Sequence, residues 1–350
     1  VTNPDPALAR IGLKAADAAT WLPELTGGER LARVVAQHRN GWRLDDGHGE
    51  FAAGAPASLS RPGGDPSRRP AVGDWVVLGP QLPPTIHRVL PRHGAIRRIA
   101  AGDRHVEQIV AANVDRVLVV TGLDDDWNPR RIERYLVLAR SAGAAAAVVL
   151  TKLDKTAHGA ARLLETEAAA GPDVPVLAVN AKDPVTAERM APLLPPGTTV
   201  VLVGSSGAGK STLTNLLLGV SRQRTAEVRS HDSRGRHTTT HRSLIPLPGG
   251  ACLIDTPGMR ELKLTGDEDL DETVFDDIAR LAEGCRFRDC RHEREPGCAV
   301  RAAIEAGELP VARWQHYLKL RTEREAAAEA TRARALARGG ATRKPPARGR

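Results

Sequence analysis

Gly204, Ser205, Ser206, Gly207, Ala208, Gly209, Lys210 and Ser211 fit G-x-x-x-x-G-K-[ST] without a mismatch, between the apolar run Thr199–Val203 and a helical stretch opening at Thr212. In a strand–loop–helix setting such a loop curls backbone N–H groups around a phosphate, and the helix N-terminus adds its positive end. Lys210 can reach the β- and γ-phosphates, and the Ser211 hydroxyl can ligate Mg²⁺. Downstream, Asp255 and Gly258 frame a D-T-P-G run that closes the apolar stretch Ala251–Ile254. The carboxylate suits Mg²⁺ held through water, and the glycine lets a backbone N–H approach the γ-phosphate.

Thr151, Lys152, Leu153 and Asp154 end another apolar run, in the pattern N/T-K-x-D. An aspartate there can accept from both the ring N–H and the exocyclic amine of guanine. Adenine has no matching pair of donors, so the carboxylate would be left unpaired and adenine rejected. Lys152 can lay its stem along the base or support the phosphate loop. Asn180, Ala181 and Lys182 follow the run Val174–Val179 as a supporting element for the base. The order is informative: the base motif precedes the phosphate loop, the reverse of common GTPases. Relocated termini explain this, because a parallel sheet keeps its site when the chain ends move on its surface.

Between the phosphate loop and D-T-P-G lie His237, Thr238, Thr239 and Thr240. Thr239 is the favoured residue to close over Mg²⁺ in the triphosphate state, with its two neighbours as rivals. Met259 stands where many GTPases carry a water-orienting glutamine, so His237 becomes the candidate for that task. Unassisted turnover is expected at about 10⁻⁴–10⁻² s⁻¹, with a partner raising it some 10³–10⁵-fold.

Cys285, Cys290, His292 and Cys298 offer three thiolates and one imidazole within a short span, a set suited to one closed, tetrahedral structural Zn²⁺. With four protein ligands, no position is left for catalysis. Cys252, inside the strand before D-T-P-G, reads as a small core residue.

The elements that position these groups fall into three compositional regions of a 350-residue chain. Short β-like runs (Leu31–Gln37, Gly41–Leu44, Trp75–Leu78, Ile86–Leu90), parted by Gly, Pro and Asp turns, predict a small all-β barrel or sandwich. From about residue 113 to 278, apolar strands alternate with helical segments, the pattern of a mostly parallel α/β sheet. A cysteine cluster and helical sequence follow, with Trp314, Tyr317, Leu318 and Leu320 on one apolar face. Hydrophobic residues at 41% and charged residues at 26% exclude a disordered polymer, and aromatics at 3% leave Val, Leu, Ile and Ala to build the cores. The formal charge is +8, and the last nineteen residues hold seven basic side chains and no acidic one, which makes a nucleic-acid partner plausible. No apolar run approaches the roughly 18–20 residues that span a bilayer, and the opening residues carry no hydrophobic signal core. The expectation is a cytoplasmic protein with no membrane partner.

A β-rich module, a permuted GTPase and a Cys-x4-Cys-x-His-x5-Cys module, in that order, resemble the small-ribosomal-subunit-dependent GTPase A family (RsgA/YjeQ). Further carriers are Gln108–Asp115 at the domain junction and Arg236–Thr240. The resemblance implies an N-terminal OB-fold that binds ribosomal RNA and a GTPase (GTP to GDP) stimulated by the small (30S) subunit through its 16S rRNA. It implies late action on that subunit, checking the decoding region and leaving after hydrolysis, and a monomer. His237 aligns with the family's proposed catalytic histidine. The implied layout is an extension over 1–28, the OB-fold over 29–105, the permuted GTPase over 106–278, a helical zinc-binding domain over 279–325 and a basic tail over 326–350. Three other readings stay open: a zinc-bearing nucleic-acid scaffold locked by GTP, a GTPase of large-subunit assembly, and an ATP-driven enzyme, which T-K-L-D disfavours.

Overall fold

The computed structural model describes residues 5–38, 41–60, 68–99, 107–219, 242–255 and 274–340. The chain divides into two compact units, 1–262 and 263–350.

The first unit begins with two short helices, α1 (Pro6–Arg10) and α2 (Ala15–Trp21), followed by β1 (Arg30–His38), β2 (Gly41–Asp45), β3 (Glu50–Ala53), α3 (Ala57–Ser60), β4 (Trp75–Leu78) and β5 (Ile86–Val89). These strands pair in the order β3-β2-β1-β4-β5, all antiparallel, and a bridge between Gly54 and Thr85 brings the far ends together. Alternation along β4 explains why its four residues are all buried. Val76 and Leu78 turn into a core with Ala32, Val34, Trp42, Leu44 and Ile86, and Trp75 and Val77 turn the other way, beneath α1 and α2. Leu8, Ile11, Leu13, Ala18 and Trp21 complete that second layer. The segment that the sequence reading sets apart as an extension is therefore part of a core, because a strand apolar on both faces needs cover on both.

A hairpin of β6 (Ala95–Ile99) and β7 (Glu107–Ala112) leads into the nucleotide-type sheet. Its elements are β8 (Arg116–Gly122), α4 (Pro129–Ser141), β9 (Ala145–Thr151), α5 (Gly159–Ala170), β10 (Val176–Ala178), α6 (Val185–Met190), β11 (Thr199–Val203), α7 (Lys210–Leu217), β12 (Ser243–Pro246) and β13 (Cys252–Asp255). The strands run in the order β10-β9-β8-β11-β13-β12, parallel except for β12. Central strands covered on both faces are continuous apolar runs, and Leu118, Val120, Val149, Val200 and Leu253 meet Leu213 and Leu217 of α7 in one core. A single register pair, Ala36 with Ser243, carries the sheet from β12 into β1. Cys252 is fully buried, and burial pushes its thiol up.

The second unit holds α8 (Asp276–Glu283), α9 (Ala299–Glu305) and α10 (Val311–Gly340). Phe275 packs edge-on against Tyr317 and His316, and Trp314 stacks on Tyr317. Of the expected apolar face, Tyr317 and Leu320 are buried, whereas Trp314 and Leu318 are half-buried. Arg313 grips Asp277 with two bonds (2.5 and 2.8 Å) and donates to the Val274 carbonyl at 2.8 Å. No helix of the described residues is long and apolar enough to cross a membrane.

Candidate functional site

Parallel strands deliver their C-terminal ends to one edge of the sheet, and ligands of open α/β sheets bind along that edge. Here β9 ends at Thr151, β11 at Val203 and β13 at Asp255, with β11 directly beside β13. Across the sheet these ends keep their sequence order, with β8, which precedes all three in the chain, inserted between β9 and β11.

Gly204 leaves β11 with φ 145°, and a Cβ there would sit 2.0 Å from the Val120 carbonyl oxygen, so only glycine fits. Gly209 caps α7 with φ 94°, and a Cβ on it would press within 3.1 Å of Thr151 Oγ1. Between them, Ser206 and Gly207 are exposed, Ser205 is half-buried and Ala208 is buried. Lys210, the first residue of α7, spans the loop and donates from Nζ to the carbonyls of Gly204 (2.8 Å) and Ser205 (2.5 Å). Ser211 and Thr212 are exposed on the first turn. The donor set, a glycine cradle with an ammonium and a hydroxyl at a helix N-terminus, fits a nucleotide's phosphates and Mg²⁺.

Thr151 is fully buried, and its hydroxyl donates to the Ala208 carbonyl at 2.6 Å, so the base-type motif and the phosphate loop are joined. Lys152 takes a left-handed backbone conformation, φ 60°, which turns the chain sharply after β9. Asp154 lies exposed in the 3-10 turn Leu153–Lys155. Leu153 N–H donates to the Val179 carbonyl, which brings this turn beside the segment after β10. There Asn180 Oδ1 accepts from Lys182 N–H at 3.0 Å, Asn180's carbonyl accepts from Thr186 Oγ1 at 2.7 Å, and Ala181 is buried. Asn180 thus shapes the turn that presents Lys182. Gly258, Met259, His237 and Thr239 lie outside the described residues.

The sequence reading missed Asp124 and Asp126, in the loop between β8 and α4. Lys152 Nζ pairs with Asp124 Oδ2 at 2.5 Å, and Ser205 Oγ donates to Asp126 Oδ2 at 2.5 Å. Burial alone would raise the Asp124 carboxyl, but the Lys152 ammonium overrides it and holds the group below its ordinary value. The only signal was the run Asp124, Asp125, Asp126 itself, which has no motif.

In the second unit, Cys285, Cys290, His292 and Cys298 bring their ligand atoms within 4.8 Å of one another. His292 Nδ1 stands 3.5 Å from Cys285 Sγ and 3.4 Å from Cys298 Sγ, and those two sulfurs are 4.0 Å apart. Tetrahedral Zn²⁺, with bonds of about 2.0–2.3 Å, spaces its ligand atoms by roughly 3.3–3.8 Å, so the set fits that ion. His292 has φ 62°, and the loop around it is held by Glu295, whose carboxylate accepts from the N–H groups of Arg291 (3.0 Å), Glu293 (2.9 Å) and Arg294 (3.0 Å). Trp314 packs edge-on against the His292 ring, centroids 5.7 Å apart. Glu295 and this contact were also unforeseen.

Fold and site together define a P-loop nucleotide-binding protein with a permuted strand order. The model of the RsgA GTPase family matches residues 89–265. The small ribosomal subunit biogenesis GTPase RsgA of Xanthomonas axonopodis pv. citri (strain 306) is 51% identical, covering 99% of this chain and 97% of that protein. The protein of the same name from Xanthomonas euvesicatoria pv. vesicatoria (strain 85-10) is 53% identical, covering 90% and 87%. Among solved structures, YjeQ from Thermotoga maritima superposes with a TM-score of 0.61 at 24% identity, covering 83% of this chain and 97% of that one. YloQ, described as a circularly permuted GTPase, gives a TM-score of 0.57 at 23% identity, covering 85% and 95%. The chain belongs to the RsgA GTPase family, its fold is the circularly permuted GTPase fold, and its reaction is the hydrolysis of GTP.

Proposed function

We propose that this GTPase acts in late maturation of the small ribosomal subunit, where it engages the 30S particle through 16S rRNA, checks the decoding region and leaves after hydrolysis. The observation that carries the reading is 51% identity over 99% of the chain to a protein named for small ribosomal subunit biogenesis. It works as a monomer in the cytoplasm, where those subunits are assembled.

Within that reading each site residue has a task. Asp154 reads guanine, with Lys152 along the base and Thr151 fixing the motif to the phosphate loop. Asn180, Ala181 and Lys182 support the base. The backbone from Gly204 to Gly209, with Lys210 and Thr212, holds the phosphates, and Gly258 approaches the γ-phosphate. Ser211, Thr239 and Asp255 serve Mg²⁺, which when bound neutralises charge on the phosphate oxygens. His237 orients the attacking water, with release of GDP and phosphate. The module over 29–105 is an OB-fold that binds rRNA. Its support is the strand order β3-β2-β1-β4-β5, with the Gly54–Thr85 bridge closing the ends. Cys285, Cys290, His292 and Cys298 hold one structural Zn²⁺, supported by their spacing within 4.8 Å.

The test is GTP turnover with and without small subunits, using large subunits and ATP as controls. A rise of about 10³-fold or more, specific to GTP and the small subunit, is expected. No rise with either subunit leaves a zinc-bearing scaffold locked by GTP and removes the ribosomal reading. A rise with large subunits alone moves the protein to large-subunit assembly.

A further inference from the structure

The loop between β8 and α4 makes more polar contacts with the nucleotide-side elements than a connector needs. Asp126 accepts from Ser205 Oγ at 2.5 Å, and its Oδ1 is paired with Arg131 NH2 at 2.6 Å. The same arginine donates to the Asp126 carbonyl. Two residues earlier, Asp124 Oδ2 holds Lys152 Nζ at 2.5 Å. Arg162 of α5 pins the loop backbone by donating to the carbonyls of Leu123 (2.6 Å) and Asp124 (3.0 Å), and its guanidinium lies over the Trp127 ring, 5.4 Å from the centroid. Trp127 Nε1 in turn donates to Thr166 Oγ1 at 3.1 Å. Leu123 N–H donates to the Thr151 carbonyl at 2.9 Å. Asp125, between the two anchoring aspartates, is exposed.

One loop therefore touches both ends of the site, the second residue of the phosphate loop and the lysine of the base motif. Each contact is a hydrogen bond with an ionised partner, the stronger kind. A hydroxyl held from behind keeps the Ser205 peptide from rotating, and that peptide is part of the cradle around the phosphates. A lysine tethered by its ammonium keeps its stem over the position of the base, despite a backbone in the left-handed region.

We propose that Asp124 and Asp126 are positioning residues of the GTPase, Asp126 fixing the phosphate loop through Ser205 and Asp124 fixing Lys152, so that one rigid loop sets both ends of the nucleotide site. The proposal rests on the assignment of Ser205 and Lys152 to that site. It goes further, because no part of the phosphate-loop or base motif includes these aspartates. Losing either anchor shortens the residence of the nucleotide, while the bound nucleotide still meets the same reacting groups.

The test uses the full-length protein, with dissociation of mant-GDP by stopped flow and steady-state GTP turnover. Ser205→Ala removes only the anchored hydroxyl, and Asp126→Asn keeps the shape while removing the charge. Both are expected to speed mant-GDP release by about tenfold, with the double variant no faster than the faster single one. Asp124→Asn is expected to raise KM for GTP by a similar factor while kcat stays within about twofold. Asp125→Asn is expected to match wild type. If Asp126→Asn fails to fold, Ser205→Ala and Asp124→Asn decide. Wild-type release rates in Ser205→Ala, or an unchanged KM in Asp124→Asn, overturn the proposal alone. A wild-type protein that binds no mant-GDP overturns both the proposal and the site assignment beneath it.

Discussion

Thr151 Oγ1 donates to the carbonyl of Ala208 across 2.6 Å, with Thr151 fully buried. The contact joins the end of β9 to the middle of the phosphate loop and lies against Gly209, where a Cβ would come within 3.1 Å of the same hydroxyl. Asparagine is commoner at this place in the base motif, and threonine supplies a tether to the phosphate loop with a shorter side chain. Its β-branched side chain also suits the last residue of a buried strand.

Thr151→Val tests that tether. The methyl in place of the hydroxyl leaves the Ala208 carbonyl without this donor in a buried setting, at a cost of about 1–3 kcal/mol. Thermal unfolding should show the loss, and mant-GDP binding should weaken in parallel. Thr151→Ser keeps the donor and should recover most of the affinity. Equal behaviour of the two variants would mean that the hydroxyl does not matter.

At the opposite edge of the same sheet, Asp115 gathers Thr199 N–H at 2.7 Å, His93 Nε2 at 3.0 Å and the Lys14 ammonium. Burial pulls its carboxyl up, but the bonds from His93, Lys14 and Thr199 outweigh it and bring the pKa down from 3.8 to about 2. A carboxyl lowered on folding stabilises the protein above its unfolded pKa, and that stability is lost as pH falls toward the folded one. The group is partly screened by solvent, so Asp115→Asn should cost about 1–2 kcal/mol at pH 7. Urea titrations at pH 7, 4, 3 and 2 should show the gap between wild type and variant closing between about pH 4 and pH 2. A gap that is constant with pH would show that the lost bonds do not depend on ionisation.

Much of this arrangement could be read ahead of the structure, and the parts that could not have physical reasons. The strand Thr199–Val203 has the bounds expected from its apolar run, because a parallel strand covered on both faces must be apolar throughout. The Cys285, Cys290, His292, Cys298 set was legible because thiolates at such spacing have few other uses. β12 was not, since Ser243–Pro246 is a short strand ending in proline with only one buried residue. Asp126 was not, because a carboxylate that anchors a loop serine has no fixed sequence spacing; Asp126 and Ser205 are 79 residues apart. The packing of α1 and α2 escaped notice because Leu8, Ile11 and Leu13 are too few for a helical periodicity, and only the bare face of β4 gives them a place.

The Cys285, Cys290, His292 and Cys298 cluster gives a prediction that needs no enzyme assay. It has little core of its own, so removing Zn²⁺ with a strong chelator should unfold the segment 285–298 and fray the helix Ala299–Glu305 that Cys298 caps, seen as lost helicity and a change at Trp314, which packs against His292. Glu295 shapes the loop that carries His292. The N–H groups of Glu295 itself, Arg291, Arg294 and Glu293 hold its carboxyl at about 2, below the ordinary 4.5. Glu295→Gln keeps the shape and removes the charge, and should speed transfer of zinc to a colorimetric chelator by about tenfold. Compared at each pH, so that protonation of the ligands acts on both proteins alike, the gap between wild type and Glu295→Gln should close as pH falls from about 4.5 toward about 2. Zinc content of one per chain in wild type is the premise, and a metal-free protein with unchanged helicity would remove the structural role.

Arg33 gives the last prediction. It sits on β1, 1% exposed, and its guanidinium serves three uncharged acceptors: the Ile11 carbonyl at 2.5 Å, the Gly73 carbonyl at 3.2 Å and Thr199 Oγ1 at 2.7 Å. Trp75 lies beneath it, with the ring centroid 5.2 Å from the guanidinium carbon. Burial lowers its pKa, and the nearby Cys252, Asp115 and Asp74 pull in the opposite direction. One side chain thus joins the N-terminal helical segment, the β-rich strands and the first residue of β11, whose far end feeds the phosphate loop. Lysine cannot reproduce a planar three-way fork, so Arg33→Lys leaves at least one buried acceptor unpaired and should cost about 2–4 kcal/mol. Arg33→Met removes the buried charge but takes the donor from the Ile11 carbonyl and Thr199 Oγ1, while the Gly73 carbonyl keeps Asn113 Nδ2 at 3.1 Å, and should cost a similar amount. If the fork couples the elements, hydrogen exchange in Arg33→Lys should quicken together in β1 and β11, and the wild-type protein should protect those two strands equally. Quickened exchange in β1 with β11 unchanged would mean that the β-rich strands and the nucleotide sheet open independently, and that Arg33 stabilises only its own neighbourhood.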